Sequence, residues 1–522
     1  MKINQKITLA AAITAAILTG CMKQETTPTI TANPSEPTVQ LSQGMIQGKI
    51  NNGVQAYLGI PYAQPPVGDL RWAAPIPANK HEGTLAATEY RNDCMQIPFP
   101  SDAAPLGTEP AEDCLYVNVW TKADYKNKPV IVWIHGGGFV NGGASPATYN
   151  GSAFARDGLV FASYNYRLAR FGHFAHPALD ESPNFGIQDQ YLAIKWIHDN
   201  IAAFGGDPSN VTIMGESAGG MSVNYLLRYP GVKGMFNKAI VMSGSYLERT
   251  SDIDKATQNE KGTHFASLNN IEGDGPEALA ALRALPADAV AQGVSLMEMF
   301  TNPGAYAKSY IGGSVRDDQF ITDGYSLSDA DLNPVDIMVG STLNDIGFLG
   351  AASKEELFAM FGEDAAEAAK IYDPNGDADL RSLIMAVGQD NMMQASVGLQ
   401  AERFTKMGHN AYTYRFGYVA ESLEDRSGAP HASEIPFFFN TEKAKYLDKT
   451  TALDSQAADY MHRYVVNFAL TGNPNGEGLP EWKTYADAPN GMMTLDNDAT
   501  PKFGNDPFAA RLALVKKHLV KH

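Results

Sequence analysis

The residues whose types and spacing most clearly suggest catalysis surround Ser217, which lies in the sequence GESAG at positions 215–219. In this G-x-S-x-G pattern the glycines let the chain turn sharply and leave a serine hydroxyl exposed. The run 211–214 (VTIM) is typical of a buried strand and 218–229 favours a helix, so the serine falls between the two. The context predicts a nucleophile, and the alternative is a glycine-serine turn without chemistry.

A second glycine-rich motif, HGGG beginning at His135, directly follows the apolar run 129–134. Because glycines leave backbone N–H groups unshielded, these groups can donate hydrogen bonds to a developing oxyanion. We expect an oxyanion hole formed by the N–H groups of Gly137, Gly138 and Ala218. The alternative is a flexible glycine turn with no ligand.

A serine nucleophile needs a general base and an acid that orients that base. Where the serine lies between a strand and a helix in this way, both follow it along the chain. His431 lies in a loop beyond the predicted strand 411–416, where α/β sheets carry functional groups. Asp345 lies just past the predicted strand 335–339 and is the preferred acid. The alternative acids are Asp317 and Asp318.

The elements that must position these residues alternate between strands and helices. Continuous apolar runs are typical of parallel strands that are buried on both faces. The clearest helix spans 188–204 and ends at a glycine pair. We therefore predict the α/β class, with a central, mostly parallel β-sheet flanked by helices. The predicted strands are 129–134, 159–165, 211–214, 238–242, 335–339 and 411–416.

The composition restricts the class of protein. The chain has 522 residues, of which 44% are hydrophobic and 19% charged, so a wholly disordered chain is excluded. Its net charge of −18 is the reverse of what a nucleic-acid binder needs. The three cysteines form no CxxC pair or Cys/His cluster, so we expect no structural zinc.

The amino terminus has the pattern of an export signal. Lys2 and Lys6 flank the start of an apolar run at 7–18, which is shorter than the ~20 residues that span a bilayer. The run ends in LTGC, which resembles a bacterial lipobox. We expect residues 1–20 to be the signal peptide of a lipoprotein and Cys21 to carry the lipid. The alternative is a simple signal peptide with a free cysteine.

The next segment, 21–38, is rich in Thr, Pro, Ser and Glu, and we interpret it as a flexible tether. No second linker or repeat follows, so 39–522 is predicted to be one domain. Met22 after the cysteine resembles an outer-membrane sorting pattern. The expected location is the outer membrane, facing the periplasm or the cell surface, with the lipid anchor as the only membrane contact.

If Cys21 is lipidated, Cys94 and Cys114 remain as a pair in an oxidising compartment. A disulfide between them is expected, and the alternative is two free buried thiols. A loop of this length would stabilise the fold by about 3 kcal/mol in the chain-entropy model.

Several motifs, in order, resemble the type-B carboxylesterase family, the carboxylesterase and cholinesterase branch of the α/β-hydrolases. The resemblance covers roughly 40–490 and implies the α/β-hydrolase fold and ester hydrolysis. The matching segments are 59–63 (GIPYA), 112–119 (EDCLYVNV), 165–168 (NYRL), 204–208 (FGGDP), 211–220 (VTIMGESAGG), 428–439 (GAPHASEIPFFF) and 468–475 (FALTGNPN).

The resemblance also implies roles for individual residues. The family's nucleophile and base fall on Ser217 and His431, its oxyanion donors on the glycines and alanine named above, and its disulfide on the same cysteine pair. Glu216 is similar to a family glutamate that supports the electrostatics of the site. Two family salt bridges would be Arg71–Glu112 and Arg167–Asp189. The family usually has glutamate as its acid, so Asp345 departs by one methylene and its loop must come closer.

These residues predict a serine carboxylesterase that acts on small-molecule esters through an acyl-enzyme, with no metal or organic cofactor. One alternative is a non-catalytic binding or adhesion lipoprotein, although such family members typically lack the serine or the histidine. Another is an amidase or peptidase on the same fold, since amides share the intermediate. Pocket loops are expected around 270–330 and 350–400. Met297, Met299, Phe300, Met392 and Met393 could line the pocket, although core positions fit them better.

Overall fold

The computed structural model describes residues 29–30, 36–99, 104–245, 254–302, 304, 308, 314–317, 319–321 and 329–519. The predicted signal peptide, Cys21 and most of the predicted tether lie outside these residues. Within the tether, Thr29–Ile30 pairs with the short strand Thr84–Ala86. Among the described residues, no helix is long and apolar enough to cross a membrane.

Strands within these described ranges form two sheets. The smaller has the order β1-β6-β3-β2, and the larger has the order β15-β14-β13-β12-β11-β10-β8-β9-β7-β5-β4. The strands are β1 Thr29–Ile30, β2 Thr38–Leu41, β3 Gly44–Gln47, β4 Lys49–Asn51, β5 Val54–Pro61, β6 Thr84–Ala86, β7 Tyr116–Thr121, β8 Lys128–Ile134, β9 Val160–Tyr164, β10 Gly206–Glu216, β11 Lys238–Met242, β12 Asp336–Thr342, β13 Ala411–Phe416, β14 Gly491–Leu495 and β15 Pro501–Asn505.

The middle of the larger sheet is parallel from β14 through β9, and its two margins are antiparallel. This confirms the predicted α/β class with a mostly parallel sheet. All six predicted strands are present. The largest difference is at β10, which begins at Gly206 rather than Val211, with a register shift between those residues, where Pro208 has no N–H for the ladder.

Helices cover both faces of the sheet. The predicted helix 188–204 is Phe185–Asn200 followed by a 3₁₀ turn, and Gly205 ends it at φ 83°. The α-helices are Ser152–Arg156, Ala169–Gly172, Phe185–Asn200, Ala218–Arg228, Lys255–Leu268, Pro276–Arg283, Ala287–Ala291, Leu296–Thr301, Lys354–Ala359, Ala365–Tyr372, Leu380–Gln389, Ala395–Lys406, Ile435–Phe438, Glu442–Tyr446, Ala452–Thr471 and Ala509–Leu519. The 3₁₀ turns are Gly68–Leu70, Ala147–Tyr149, Ile201–Phe204, Pro230–Val232, Asp329–Asp331, Gly362–Asp364 and Leu447–Lys449, and Asp390–Gln394 is a π-helix.

Strand β8 shows why the apolar runs are continuous. Its side chains alternate between two cores, with Val130, Val132 and Ile134 on one face and Ile131 and Trp133 on the other. Because both faces are covered by helices, the free positions for polar chemistry are the loops that follow the strand ends.

A disulfide joins Cys94 to Cys114, as the cysteine count predicted. It stands near a buried ion pair in which Arg71 Nε donates to Glu112 Oε2 at 2.7 Å. Both ion pairs that the resemblance implied are present, Arg71–Glu112 and Arg167–Asp189.

Candidate active site

Ser217 occupies a sharp turn between β10 and the helix Ala218–Arg228. Its φ of 57° and ψ of −123° are unusual for a residue with a side chain. Its N–H donates to Met242 O at 2.9 Å, which ties the turn to the neighbouring strand β11. Such a backbone conformation costs of order 1–3 kcal/mol, and it holds the hydroxyl out from the sheet.

The glycines around Ser217 are required by close packing. A Cβ on Gly215 would lie 2.3 Å from the carbonyl oxygen of Gly219. A Cβ on Gly219 would lie 2.1 Å from Ile134 O at the end of β8. Both contacts are far shorter than van der Waals separation, so the turn can form only when these two positions lack side chains.

His431 and Asp345 complete a hydrogen-bonded series with Ser217. His431 Nε2 lies 2.8 Å from Ser217 Oγ, and His431 Nδ1 lies 2.6 Å from Asp345 Oδ1. Since an ionised carboxylate only accepts, Nδ1 carries a proton, and in the neutral form of the imidazole Nε2 can then accept from the serine. The structure thus brings together the three residues that the sequence selected.

The aspartate reaches the imidazole because two loops are joined. Asn344 N donates to Ala429 O at 2.9 Å, and Asn344 forms an isolated bridge with Pro430, which precedes the histidine. The loop after β12 therefore lies against the loop of His431. This contact supplies the approach that the shorter side chain of Asp345 requires.

The alternative acids are not with the histidine. Asp317 accepts hydrogen bonds from Asn184 Nδ2 at 2.9 Å and from the backbone N–H of Phe320 at 2.8 Å and Ile321 at 2.9 Å. It therefore stabilises its own loop. Asp318 lies outside the described residues.

Three buried carboxyl groups surround His431. Glu216 Oε1 lies 3.2 Å from His431 Nε2. Burial lowers the pKa of His431, but Glu216 and Asp345 outweigh it and raise this pKa to about 10. Burial would raise the pKa of Asp345, yet His431 and a hydrogen bond from Ser243 lower it overall. The site therefore stabilises an imidazolium between carboxylates.

Two of the surrounding groups were missed by sequence reasoning. Ser243 Oγ donates to Asp345 Oδ2 at 2.7 Å, and the only signal was its place directly after the predicted strand β11. Glu434 is fully buried, and burial together with Glu216 and Asp345 raises its pKa well above the usual range, which favours its protonated form. Its signal was its position three residues after His431.

The HGGG motif lies beside the serine. Gly137 and Gly138 adopt φ values of 104° and 64°, and both line the same cavity as Ser217 and Ala218. Ala218 opens its helix, so its N–H has no acceptor within the helix. His135 is buried and stacks on Tyr166, and burial lowers its pKa to about 4. A neutral histidine there adds no charge to the site.

The cavity above these residues has a volume of about 320 Å³. Its apolar walls come from helices as well as loops, whereas loops alone were expected. Met299 and Met392 line it and are only partly buried, so the preference for core positions is wrong for these two, whereas Met393 lines the cavity and is also a core residue. Met297 is exposed instead. Apolar lining residues are Phe99, Ala104, Met221, Leu296, Met299, Ile346, Phe348, Met392 and Met393.

Comparison with known proteins gives relatives along nearly the whole chain. Para-nitrobenzyl esterase of Bacillus subtilis (strain 168) is 34% identical over 492 residues, which covers 90% of this chain and 96% of that protein. Phenmedipham hydrolase of Pseudarthrobacter oxydans is 31% identical, covering 89% and 96%. Fumonisin B1 esterase of Sphingopyxis macrogoltabida is 29% identical, covering 85% and 83%.

A solved structure of PNB esterase has the same architecture. It superposes with a TM-score of 0.79 at 29% sequence identity, covering 92% of this chain and 99% of the other. The model of the carboxylesterase family matches residues 35–370 and 360–515. The chain therefore belongs to the carboxylesterase family and is a carboxylic ester hydrolase with the α/β-hydrolase fold.

Proposed function

We propose that the chain hydrolyses small-molecule carboxylic esters through an acyl-enzyme formed on Ser217. The observation that carries the proposal is the 2.8 Å contact between Ser217 Oγ and His431 Nε2, with Asp345 at 2.6 Å behind the imidazole. His431 takes the serine proton as Oγ attacks the ester carbonyl. Asp345 keeps the imidazole in the required tautomer and stabilises its charged form.

The negative charge that develops on the carbonyl oxygen needs donors. We assign this role to the backbone N–H groups of Gly137, Gly138 and Ala218, because all three residues line the cavity that holds Ser217. The imidazolium then protonates the leaving alcohol. A water molecule, activated by the same histidine, attacks the acyl-enzyme and releases the acid.

Glu216 has a supporting electrostatic role in this proposal. Its carboxylate lies 3.2 Å from His431 Nε2 and raises the pKa of that histidine. It therefore favours the imidazolium that forms on attack. The names of the relatives refer to a para-nitrobenzyl ester, phenmedipham and fumonisin B1, which supports small-molecule esters as the substrate class here.

The test is hydrolysis of p-nitrophenyl butyrate by the purified protein and by Ser217→Ala. We expect the variant to lose at least ~10⁴-fold in kcat while its thermal unfolding is unchanged, since only the nucleophile is removed. His431→Gln should behave alike. The matched control is His462→Gln, because His462 also pairs with a carboxylate, Asp157 at 3.0 Å, but outside the cavity. Retained activity in Ser217→Ala would refute the proposal.

We further propose that the protein is exported and lipid-anchored at Cys21, facing the periplasm or the cell surface from the outer membrane. The basic start, the apolar run 7–18 and the LTGC sequence support this. Cell fractionation and metabolic labelling with a radioactive fatty acid test it. Wild-type protein should label and sediment with outer membranes, and Cys21→Ser should do neither.

A further inference from the structure

One wall of the active-site cavity is formed by a rare backbone element. Residues Asp390–Gln394 form a π-helix, here called the π-turn, between the helices Leu380–Gln389 and Ala395–Lys406. A π-turn inserts one residue into a helix, so the side chains beyond it are rotated by about 100° relative to those of an uninterrupted helix. Such elements are poorly stable alone and persist where neighbouring contacts hold them.

The inserted turn directs Met392 and Met393 to the cavity. Both line the same space as Ser217 and His431. Met393 is 3% exposed, so it also packs into the protein behind the wall. The unbranched, polarisable side chain of methionine fills irregular gaps and adapts to apolar groups of different shape.

The first residue of the π-turn is held from the carboxyl-terminal helix. Asp390 is fully buried, and its Oδ2 lies 2.6 Å from Nε of Arg511, which belongs to the helix Ala509–Leu519. A second guanidinium nitrogen donates to Asp390 Oδ1 at 2.9 Å, and Tyr372 Oη donates to Oδ2 at 2.7 Å. The guanidinium stacks on Phe508, which limits its own movement. Arg511 therefore contacts both carboxylate oxygens, one by a hydrogen bond and the other at ion-pair distance, which restricts the orientation of Asp390.

The last residue of the π-turn is held from the sheet. Gln394 Nε2 donates to Thr342 O at 2.7 Å at the end of β12. Its Oε1 accepts from Ser341 Oγ at 2.8 Å and from Arg415 Nε at 2.9 Å. Both ends of the π-turn are therefore fixed by buried polar contacts, and the two methionines lie between them.

We propose that the π-turn forms the cavity wall that contacts the large apolar group of the ester and thereby selects among esters. Asp390 and Arg511 are positioning residues that hold Met392 and Met393 against that group. The inference rests on the proposed function of the same cavity. The substrate class is an ester with a bulky apolar acyl or alcohol part, since neither methionine offers a charge or a strong hydrogen-bond donor to a polar group. The carboxyl-terminal helix thereby sets the selectivity of a site that it does not touch.

The experiment compares small and bulky esters in two series. One varies the acyl group from p-nitrophenyl acetate to p-nitrophenyl octanoate, and the other varies the alcohol from ethyl butyrate to benzyl butyrate. In Asp390→Asn we expect the ratio of kcat/KM for the bulky ester to that for the small ester to fall about tenfold in one series. The change should appear mainly in KM. Met392→Ala should shift the ratio of the same series, and the double variant should lose less than the product of the two single effects.

The matched control is Lys517→Gln. Lys517 lies on the same helix as Arg511 and pairs with Asp364 at 2.5 Å, away from the π-turn. Its removal should leave the ratio unchanged. If Asp390→Asn does not fold, Arg511→Lys replaces it, because lysine keeps the charge but cannot bind both carboxylate oxygens in the same way.

Three results would overturn the proposal. The first is an equal loss on small and bulky esters, the second is a shift in Lys517→Gln as large as in Asp390→Asn, and the third is strict additivity in the double variant. In each of these cases p-nitrophenyl acetate is still hydrolysed by the wild type, so the proposed function stands. A folded wild type that hydrolyses no ester refutes the proposed function, and with it the proposal that the π-turn selects the ester.

Discussion

Replacing Asp345 by asparagine keeps the shape of the side chain but removes the carboxylate that fixes the tautomer of His431. The aspartate Oδ1 lies 2.6 Å from His431 Nδ1 and accepts from Ile346 N at 2.8 Å. Its Oδ2 accepts from Ser243 Oγ at 2.7 Å and from Thr342 N at 3.1 Å. An asparagine must put its NH₂ group at one of these two positions, and at either one it meets a backbone N–H donor.

If the NH₂ group takes the position of Oδ1, it also forces the other tautomer of the histidine. Nδ1 would then have to accept, so the proton would move to Nε2 and point at Ser217, and the histidine could not take the serine proton. We expect kcat/KM for p-nitrophenyl butyrate to fall by about 10⁴-fold, which corresponds to about 5.5 kcal/mol of transition-state stabilisation. The facing donors should also lower the free energy of unfolding by about 1–3 kcal/mol.

The assay measures kcat/KM by release of p-nitrophenol, and thermal unfolding in parallel separates lost chemistry from lost fold. Asp317→Asn is the matched control, because Asp317 is the alternative acid among the described residues and accepts hydrogen bonds from Ser182, Asn184 and the backbone of 319–321, away from His431. A fall of less than about 10²-fold in a folded Asp345→Asn would refute the reasoning. An equal fall in Asp317→Asn would do so as well.

Three further predictions follow from single contacts. Glu216→Gln should lower the pKa of His431, and since kcat/KM requires the neutral imidazole, the acid limb of its pH profile should move to lower pH; an unmoved limb contradicts this. Replacing both Cys94 and Cys114 by serine should lower the free energy of unfolding, measured in urea, by about 3 kcal/mol, as expected for a loop of 20 residues. An unchanged free energy of unfolding would contradict this. Gly347→Ala should lower both Tm and kcat, because the new Cβ would lie 2.0 Å from the backbone of the helix that precedes the π-turn. A Tm equal to that of the wild type would contradict this and show that the loop moves to accommodate the Cβ.

The sheet could be predicted because its strands are buried on both faces. Runs such as 129–134 and 239–242 are apolar at every position, which is typical of strands that are covered on both faces. The antiparallel margins carried a weaker signal. β4 at Lys49–Asn51 has three residues that are all partly or fully exposed, so its pairing is determined by β5 and not by its own pattern. Edges depend on neighbours that a single sequence does not identify.

The serine turn and its histidine could be predicted for a different reason, since they depend on local geometry. Gly215 and Gly219 are required by contacts within a few residues or with the adjacent strand, so the motif carries its own explanation. Asp345 was less certain, because its reach depends on how two distant loops meet. That meeting is decided by backbone hydrogen bonds between 344 and 429–430, which leave no pattern in the side chains.

The cavity wall shows where reasoning from sequence stops. Met392 and Met393 are followed by a helix of ordinary composition, and helical spacing alone puts them in the core. The π-turn inserts one residue and brings both side chains to the cavity, and its first residue, Asp390, is held by Arg511, 121 residues later in the chain. Selectivity in this fold is thus set by a contact between distant segments, while the reaction itself is set by short motifs. Relatives that share the motifs are therefore expected to share the chemistry and to differ in their esters wherever this contact differs.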